Sequence, residues 1–191
     1  DLILSITNNS FISNSAGLNG GVMYIYGVSS AVQSIDIVDN TFQDNKGTNE
    51  GVVWFRGSGA STQTINITNN KFINNTSNNY AGTMALSTAD NSKQYITIAD
   101  NTFTRGSAFT NGGVMYLLAE GNTIQTAKFS NNTFTFSHAQ IGGVISTESH
   151  YNSTQTITIE DNTFANNYAD WNGVLWIYCD GTSTQPINIK N

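Results

Sequence analysis

Gln33-Ser34-Ile35-Asp36-Ile37-Val38-Asp39-Asn40-Thr41-Phe42-Gln43-Asp44-Asn45 returns, 30 residues on, as Gln63-Thr64-Ile65-Asn66-Ile67-Thr68-Asn69-Asn70-Lys71-Phe72-Ile73-Asn74-Asn75. Inside each copy apolar residues alternate with polar ones. That period of two belongs to a half-buried strand and not to a helix. The same columns extend in both directions. Phe stands at 11, 42, 72, 103, 134 and 164, with spacings of 31, 30, 31, 31 and 30. Gln opens each unit at 33, 63, 94, 125, 155 and 185, always 12 residues after a Gly. Only the arc from Phe to that Gly varies, being 9 or 10 residues, so one arc absorbs the length change.

A second strand follows the Gly, as in Val22-Met23-Tyr24-Ile25 and Val114-Met115-Tyr116-Leu117, and the Phe segment supplies a short third. No stretch carries the caps and periodicity of an amphipathic helix. Propeller blades run to roughly 40–50 residues, so this shorter unit fits one coil of a solenoid better. The expectation is an all-β, right-handed parallel β-helix (a solenoid), with about 31 residues per coil and six full coils plus a partial one. Residues 1–191 read as a single segment of a longer repeat protein, since neither end shows the polar cap a solenoid needs.

In a solenoid, equivalent residues of successive coils stack. The Phe and Ile columns are expected to fill the core. The small residues five after each Phe (Ala16, Gly47, Ser77, Ala108, Ala139 and Ala169) fit a tight inner corner. The Gly column (21, 51, 82, 113, 143 and 173) marks a positive φ or a close backbone approach. Asn9, Asn40, Asn70, Asn101, Asn132 and Asn162 form an all-Asn column. Asn tolerates the left-handed turn conformation, and stacked amides can form a structural ladder. The residue before it alternates (Asn8, Asp39, Asn69, Asp100, Asn131, Asp161), which reads as avoided repulsion between stacked carboxylates. If the residues two and four after the Gly face inward, an outer stripe remains. It contains Tyr24, Trp54, Tyr116 and Trp176 beside Val22, Val52, Val114 and Val174, the candidate packing interface.

Composition narrows the function. Seven Lys+Arg against 13 Asp+Glu leave a net charge of -6, which excludes the basic patch of a nucleic-acid binder. No apolar run approaches the roughly 18–20 residues of a membrane span. A single Cys, Cys179, excludes a disulfide framework inside the chain; it is a free thiol or pairs outside it. Asn-x-Ser/Thr triplets at Asn8, Asn66, Asn74, Asn75, Asn131 and Asn152 are candidate N-glycosylation sites in a secreted eukaryotic setting, with Asn8, Asn131 and Asn152 sterically best placed.

Phe11-Ile12-Ser13-Asn14, Phe42-Gln43-Asp44-Asn45, Phe72-Ile73-Asn74-Asn75 and Phe164-Ala165-Asn166-Asn167 match an FxxN motif. Gly20-Gly21-Val22, Gly112-Gly113-Val114 and Gly142-Gly143-Val144 look like its GGA[IVL] companion, with Val in place of Ala. Together they resemble the repeats of the polymorphic outer-membrane protein family of chlamydiae and similar repeats in large protist surface proteins. The resemblance implies a β-helix and a role in adhesion or surface architecture, without an enzymatic centre.

Glycoside-cleaving enzymes need two carboxylates roughly 5–10 Å apart in one cleft. Glu160-Asp161 is the only adjacent acid pair, and His138 and His150 read as isolated surface residues. No catalytic residue, cofactor or metal site is therefore expected. The expected role is an extracellular or cell-surface architectural protein, self-associating or packing with related repeats in a surface or filament-forming assembly. Its rivals are an adhesin that binds a host or glycan partner through loops, and a polysaccharide-active enzyme.

Overall fold

The computed structural model describes residues 1–191, which form strands joined by turns, bends and irregular segments, without a helix. The coils stack into four parallel sheets that run along the solenoid, the first coil joining the corner sheet only by an isolated bridge from Ser15 to Lys46. The long sheet has seven strands, among them Val32–Val38, Thr62–Thr68 and Lys93–Ala99. A Phe sheet of six strands includes Thr41–Gln43 and Lys71–Ile73. A corner sheet of five includes Thr76–Ser77, Ser107–Ala108 and His138–Ile141. A flank sheet of six includes Val53–Gly57, Met84–Thr88 and Met115–Glu120. The chain is thus a β-solenoid of stacked coils. Sequence patterning predicted three strands per coil. The fourth, in the corner sheet, is mostly two to five residues long and too short to show an alternation.

Register is set column by column. Ile35 pairs with Ile65, and Ile65 with Ile96; Phe72 pairs with Phe103, and Phe103 with Phe134. A one-residue slip would turn every Ile outward, so the buried face fixes the pairing. The Phe rings stack at 4.7–4.9 Å from Phe11 to Phe164. That spacing is the strand spacing itself, so backbone pairing and ring packing demand the same rise. One core, made of these rings, the Ile columns and the inward residues of the flank sheet, runs through the coils.

The corners carry the backbone strain. Asn8, Asp39, Asn69, Asp100, Asn131 and Asp161 all have φ between 54° and 59°. The left-handed residue is therefore the first of each Asp/Asn-Asn pair, and the second, which the sequence had suggested, is not. A second left-handed column follows the Phe strand: Ser13, Asp44, Asn74, Arg105, Phe136 and Asn166. The repeated Gly is required by close approach: a Cβ on Gly82 would collide with the Gly113 carbonyl oxygen and the Ser107 backbone. Positive φ falls one residue earlier, at Gly20, Ala81, Gly112 and Gly142.

Candidate functional site

Three stacks of side-chain amides run through the solenoid. In the Asn column, Nδ2 of Asn40 donates to Oδ1 of Asn70 at 3.1 Å and to the carbonyls of Val38 and Ile6 at 2.8 Å. The Asn40 backbone N–H donates to the same Asn70 oxygen at 2.8 Å. The pattern repeats from Asn9 through Asn101 and Asn132 to Asn162. Each buried amide thereby closes the corner of its own coil and joins it to the next.

Two further ladders escaped sequence reasoning. The Gln column is buried, and Nε2 of Gln63, Gln94, Gln125 and Gln155 each donates to Oε1 of the Gln one coil earlier, at 2.6–2.8 Å. Gln185 donates to Gln155 in the same sense. The signal was present: Gln33 lies two residues before Ile35 and so shares its inward face. The Asn of the FxxN motif forms the third ladder, Asn14 to Asn45 to Asn75, which stops where Gly106 takes the place of Asn.

Aspartates of one coil face asparagines of the next. Asn66 donates to Asp36 at 2.9 Å, Asn69 to Asp39, and Asn74 to Asp44 at 2.7 Å. All three pairs join the same two coils, and in the alternating column itself Asp39 alone receives such a donor. Hydrogen bonds from Asn74 and Gln43 hold the Asp44 carboxyl below its ordinary pKa.

The sequon residues divide by burial. Asn8, Asn131 and Asn152 are exposed at turns, and Asn74 is also exposed. Asn66 is half-buried within a strand. Asn75 is buried in the third ladder and donates to the Phe42 carbonyl at 2.8 Å, so the folded chain offers no free amide there for a glycan.

The outer stripe differs from expectation. Val52 and Val114 lie in the main core, with Val22 and Val174 packed against it. The reason is a bend in the backbone. The amides of Val22 and Met23 both donate to the Val52 carbonyl, and those of Val114 and Met115 both donate to the Val144 carbonyl. Two consecutive amides on one oxygen interrupt the alternation, so Val and Met both turn inward. Trp54 and Tyr116 do lie on the outer side, but each is only 7% exposed. Ala85 leaves a gap between them, and Tyr80 of the same chain packs there, stacking on Tyr116 at 5.1 Å. Tyr24 remains exposed at the N-terminal end and stacks on Trp54 at 4.4 Å, while Trp176 is half-buried.

Charges collect beside these rings. Arg56 lies 5.6 Å from the Tyr26 and Trp54 ring centres. Glu50 backs a crevice of about 190 Å³ walled by Trp54, Arg56 and Tyr116. Its Oε2 is buried without a partner. Burial pushes the Glu50 pKa up to about 7, against the opposing pull of Arg56. Burial, and then the Glu148 carboxylate, raises the Tyr116 phenol far above its ordinary value.

The histidines are not isolated. His150 Nδ1 lies 2.9 Å from Asp180, and Nε2 lies 3.1 Å from Glu148, which also accepts from Asn111 at 2.9 Å. Burial disfavours the His150 imidazolium, but the hydrogen bonds to Asp180 and Glu148 outweigh it and raise the pKa. Both ring nitrogens are occupied, so His150 joins two coils and has no nitrogen left for a substrate. His138 contacts Asp170 at 3.2 Å and stacks on Tyr168 at 5.3 Å. Cys179 is an exposed free thiol close to Ser183. No family model matches the chain, and comparison with curated proteins and with solved structures likewise gives no match.

Proposed function

We propose that the chain is a rigid architectural segment of an extracellular or cell-surface assembly, packing with further copies or with related repeats. One observation carries this reading: the Asn and Gln ladders join successive coils along most of the chain, with opposite donor directions. A stack tied at every coil resists bending and local opening, because each buried amide exposed by a gap loses its partners. Such a rod suits a load-bearing or spacing role. The FxxN and Gly-Gly-Val motifs add the resemblance to bacterial and protist surface repeats. Accessible sequon turns at Asn8, Asn131 and Asn152 fit a secreted setting.

Electron microscopy of unfractionated native material tests the proposal. Regular filaments or sheets containing this chain support it, whereas isolated short rods overturn self-assembly as the main role. Adhesion is the second reading. The observation favouring it is the exposed ring of Phe109, set beside unspent amides on the corner face.

A further inference from the structure

The outer side of the corner sheet carries a groove of about 590 Å³ that the ladders do not use. It is shallow and open to solvent, so a ligand would lie across it and not be enclosed. Its origin is a run of unequal side chains on aligned coils. Register pairs Ser77 with Ala108, and the His138 strand with the Tyr168 strand. Small residues, Ser107 among them, floor the groove, and Asn78, Phe109, Gln140 and Asp170 stand around it.

Phe109 is 64% exposed, so its ring is open to a ligand from the groove side. The side-chain hydrogen bonds of the lining are few: His138 to Asp170 at 3.2 Å, and Ser77, whose hydroxyl donates to the Thr48 carbonyl and accepts from the Asn79 N–H. Asn78, Ser107 and Gln140 keep their polar atoms for a ligand. A bare ring beside amide donors, amide acceptors and a positioned carboxylate fits a ligand with one C–H face and a rim of hydroxyls. That is the chemistry of a pyranose. An added peptide strand would need an unpaired sheet edge, yet Thr76–Ser77 and Ser107–Ala108 are paired on both sides. The groove offers the Asp170 carboxylate within a chain of net charge -6, so acidic sugars are disfavoured.

We propose that this groove binds a neutral saccharide, with Phe109 stacking on its C–H face and Asn78, Gln140 and Asp170 bonding its hydroxyls. His138 holds the Asp170 carboxylate in place. The site is independent of the architectural role, since a rod can carry it or lack it.

The test is ligand-observed NMR and calorimetry on the 191-residue chain. The probes are neutral gluco-, manno-, galacto- and N-acetylglucosamine oligosaccharides, with an oligogalacturonate as the charged comparison. At least one neutral probe should bind. Phe109→Ala should weaken it by about tenfold or more, the loss of one stacked anchor. Gln140→Leu should weaken it less, and Phe136→Ala, an exposed aromatic outside the groove, should leave it unchanged. Unchanged circular dichroism and melting in Phe109→Ala separate lost contact from lost fold. Absence of binding across the neutral panel, binding indifferent to Phe109→Ala, or tighter binding of the galacturonate would each overturn the proposal.

Discussion

Asn40 and Asn70 share one oxygen: Oδ1 of Asn70 accepts both the Asn40 side-chain amide at 3.1 Å and the Asn40 backbone N–H at 2.8 Å. Donors of this ladder sit on the earlier coil. In the Gln ladder they sit on the later one, as where Gln94 donates to Gln63 at 2.6 Å. These two rows of amide dipoles oppose one another, while the shorter Asn14–Asn45–Asn75 row runs with the first.

Asn70→Asp tests the ladder with almost no change in shape. The carboxylate can still accept from Asn40, but it cannot donate to Thr68, Ile37 or Asn101. It also buries a charge. Expected destabilisation is about 3 kcal/mol or more at neutral pH, with partial recovery as the pH falls and the carboxyl protonates. Urea denaturation at pH 7 and pH 4 measures both. A variant as stable as the parent at pH 7 would show that the ladder contributes little.

The Gly column separates crowding from mere sequence habit. Gly82→Ala drives a Cβ into the Gly113 carbonyl and the Ser107 backbone, whereas Gly17 has nothing within 4 Å of the same atom. Gly82→Ala should prevent folding or lower the melting temperature sharply. Gly17→Ala should be neutral or slightly stabilising through the unfolded chain. Equal behaviour of the two variants in thermal melts would contradict the packing described.

Phe136 holds φ at 56° while its ring is 56% exposed. A left-handed residue with a bulky side chain is strained by roughly 1–2 kcal/mol, and Asn occupies the equivalent position at Asn74 and Asn166 with less penalty. Phe136→Asn should therefore raise stability, by about 1 kcal/mol. A fall in the denaturation midpoint would mean that the exposed ring makes contacts outweighing the strain.

What the sequence made legible was whatever repeats. Ile35, Phe42 and Asn40 recur at fixed intervals, and repetition alone fixes coil length, core columns and one ladder. Gln33 is equally regular, but an amide on the inward face beside Ile35 is tolerable only with a partner, and that partner, Gln63, lies a coil away. The bend at Val52 was illegible because it depends on two amides choosing one carbonyl, and no residue type announces that choice. The covering of Trp54 and Tyr116 depended on a single departure, Ala85 with Tyr80 beside it, which a search for regularity passes over. His150 and Asp180 stand one coil apart, so aligning the last two coils would have joined them.

Glu50 gives the fold a dependence on pH. Its pKa is near 7 in the folded chain and about 4.3 unfolded. The folded state thus holds its proton more tightly. Ionisation weakens the fold as pH rises from about 4.3 through 7, by on the order of 3–4 kcal/mol. Glu50→Gln should be the more stable protein at pH 8 and nearly equal to the parent at pH 4. Urea midpoints that run parallel for the two proteins across that range would contradict a buried, unpartnered carboxyl.

His150 acts in the same direction by a different route. Its folded pKa is raised above the unfolded value because Asp180 and Glu148 favour the imidazolium more than burial opposes it. The stabilisation is therefore fully present below about pH 6.5 and disappears as pH rises through the raised value. The site is partly open to solvent, so the gain stays below about 1 kcal/mol. His150→Gln keeps a hydrogen-bonding side chain but cannot carry the charge. Its deficit against the parent should be largest near pH 5.5 and shrink above pH 8. Raised salt should narrow the gap at pH 5.5 by screening the charges. Asp180→Asn should reproduce the loss, and NMR titration of the His150 ring should show its pKa falling in that variant. An unmoved ring pKa would leave the Asp180 contact without electrostatic weight.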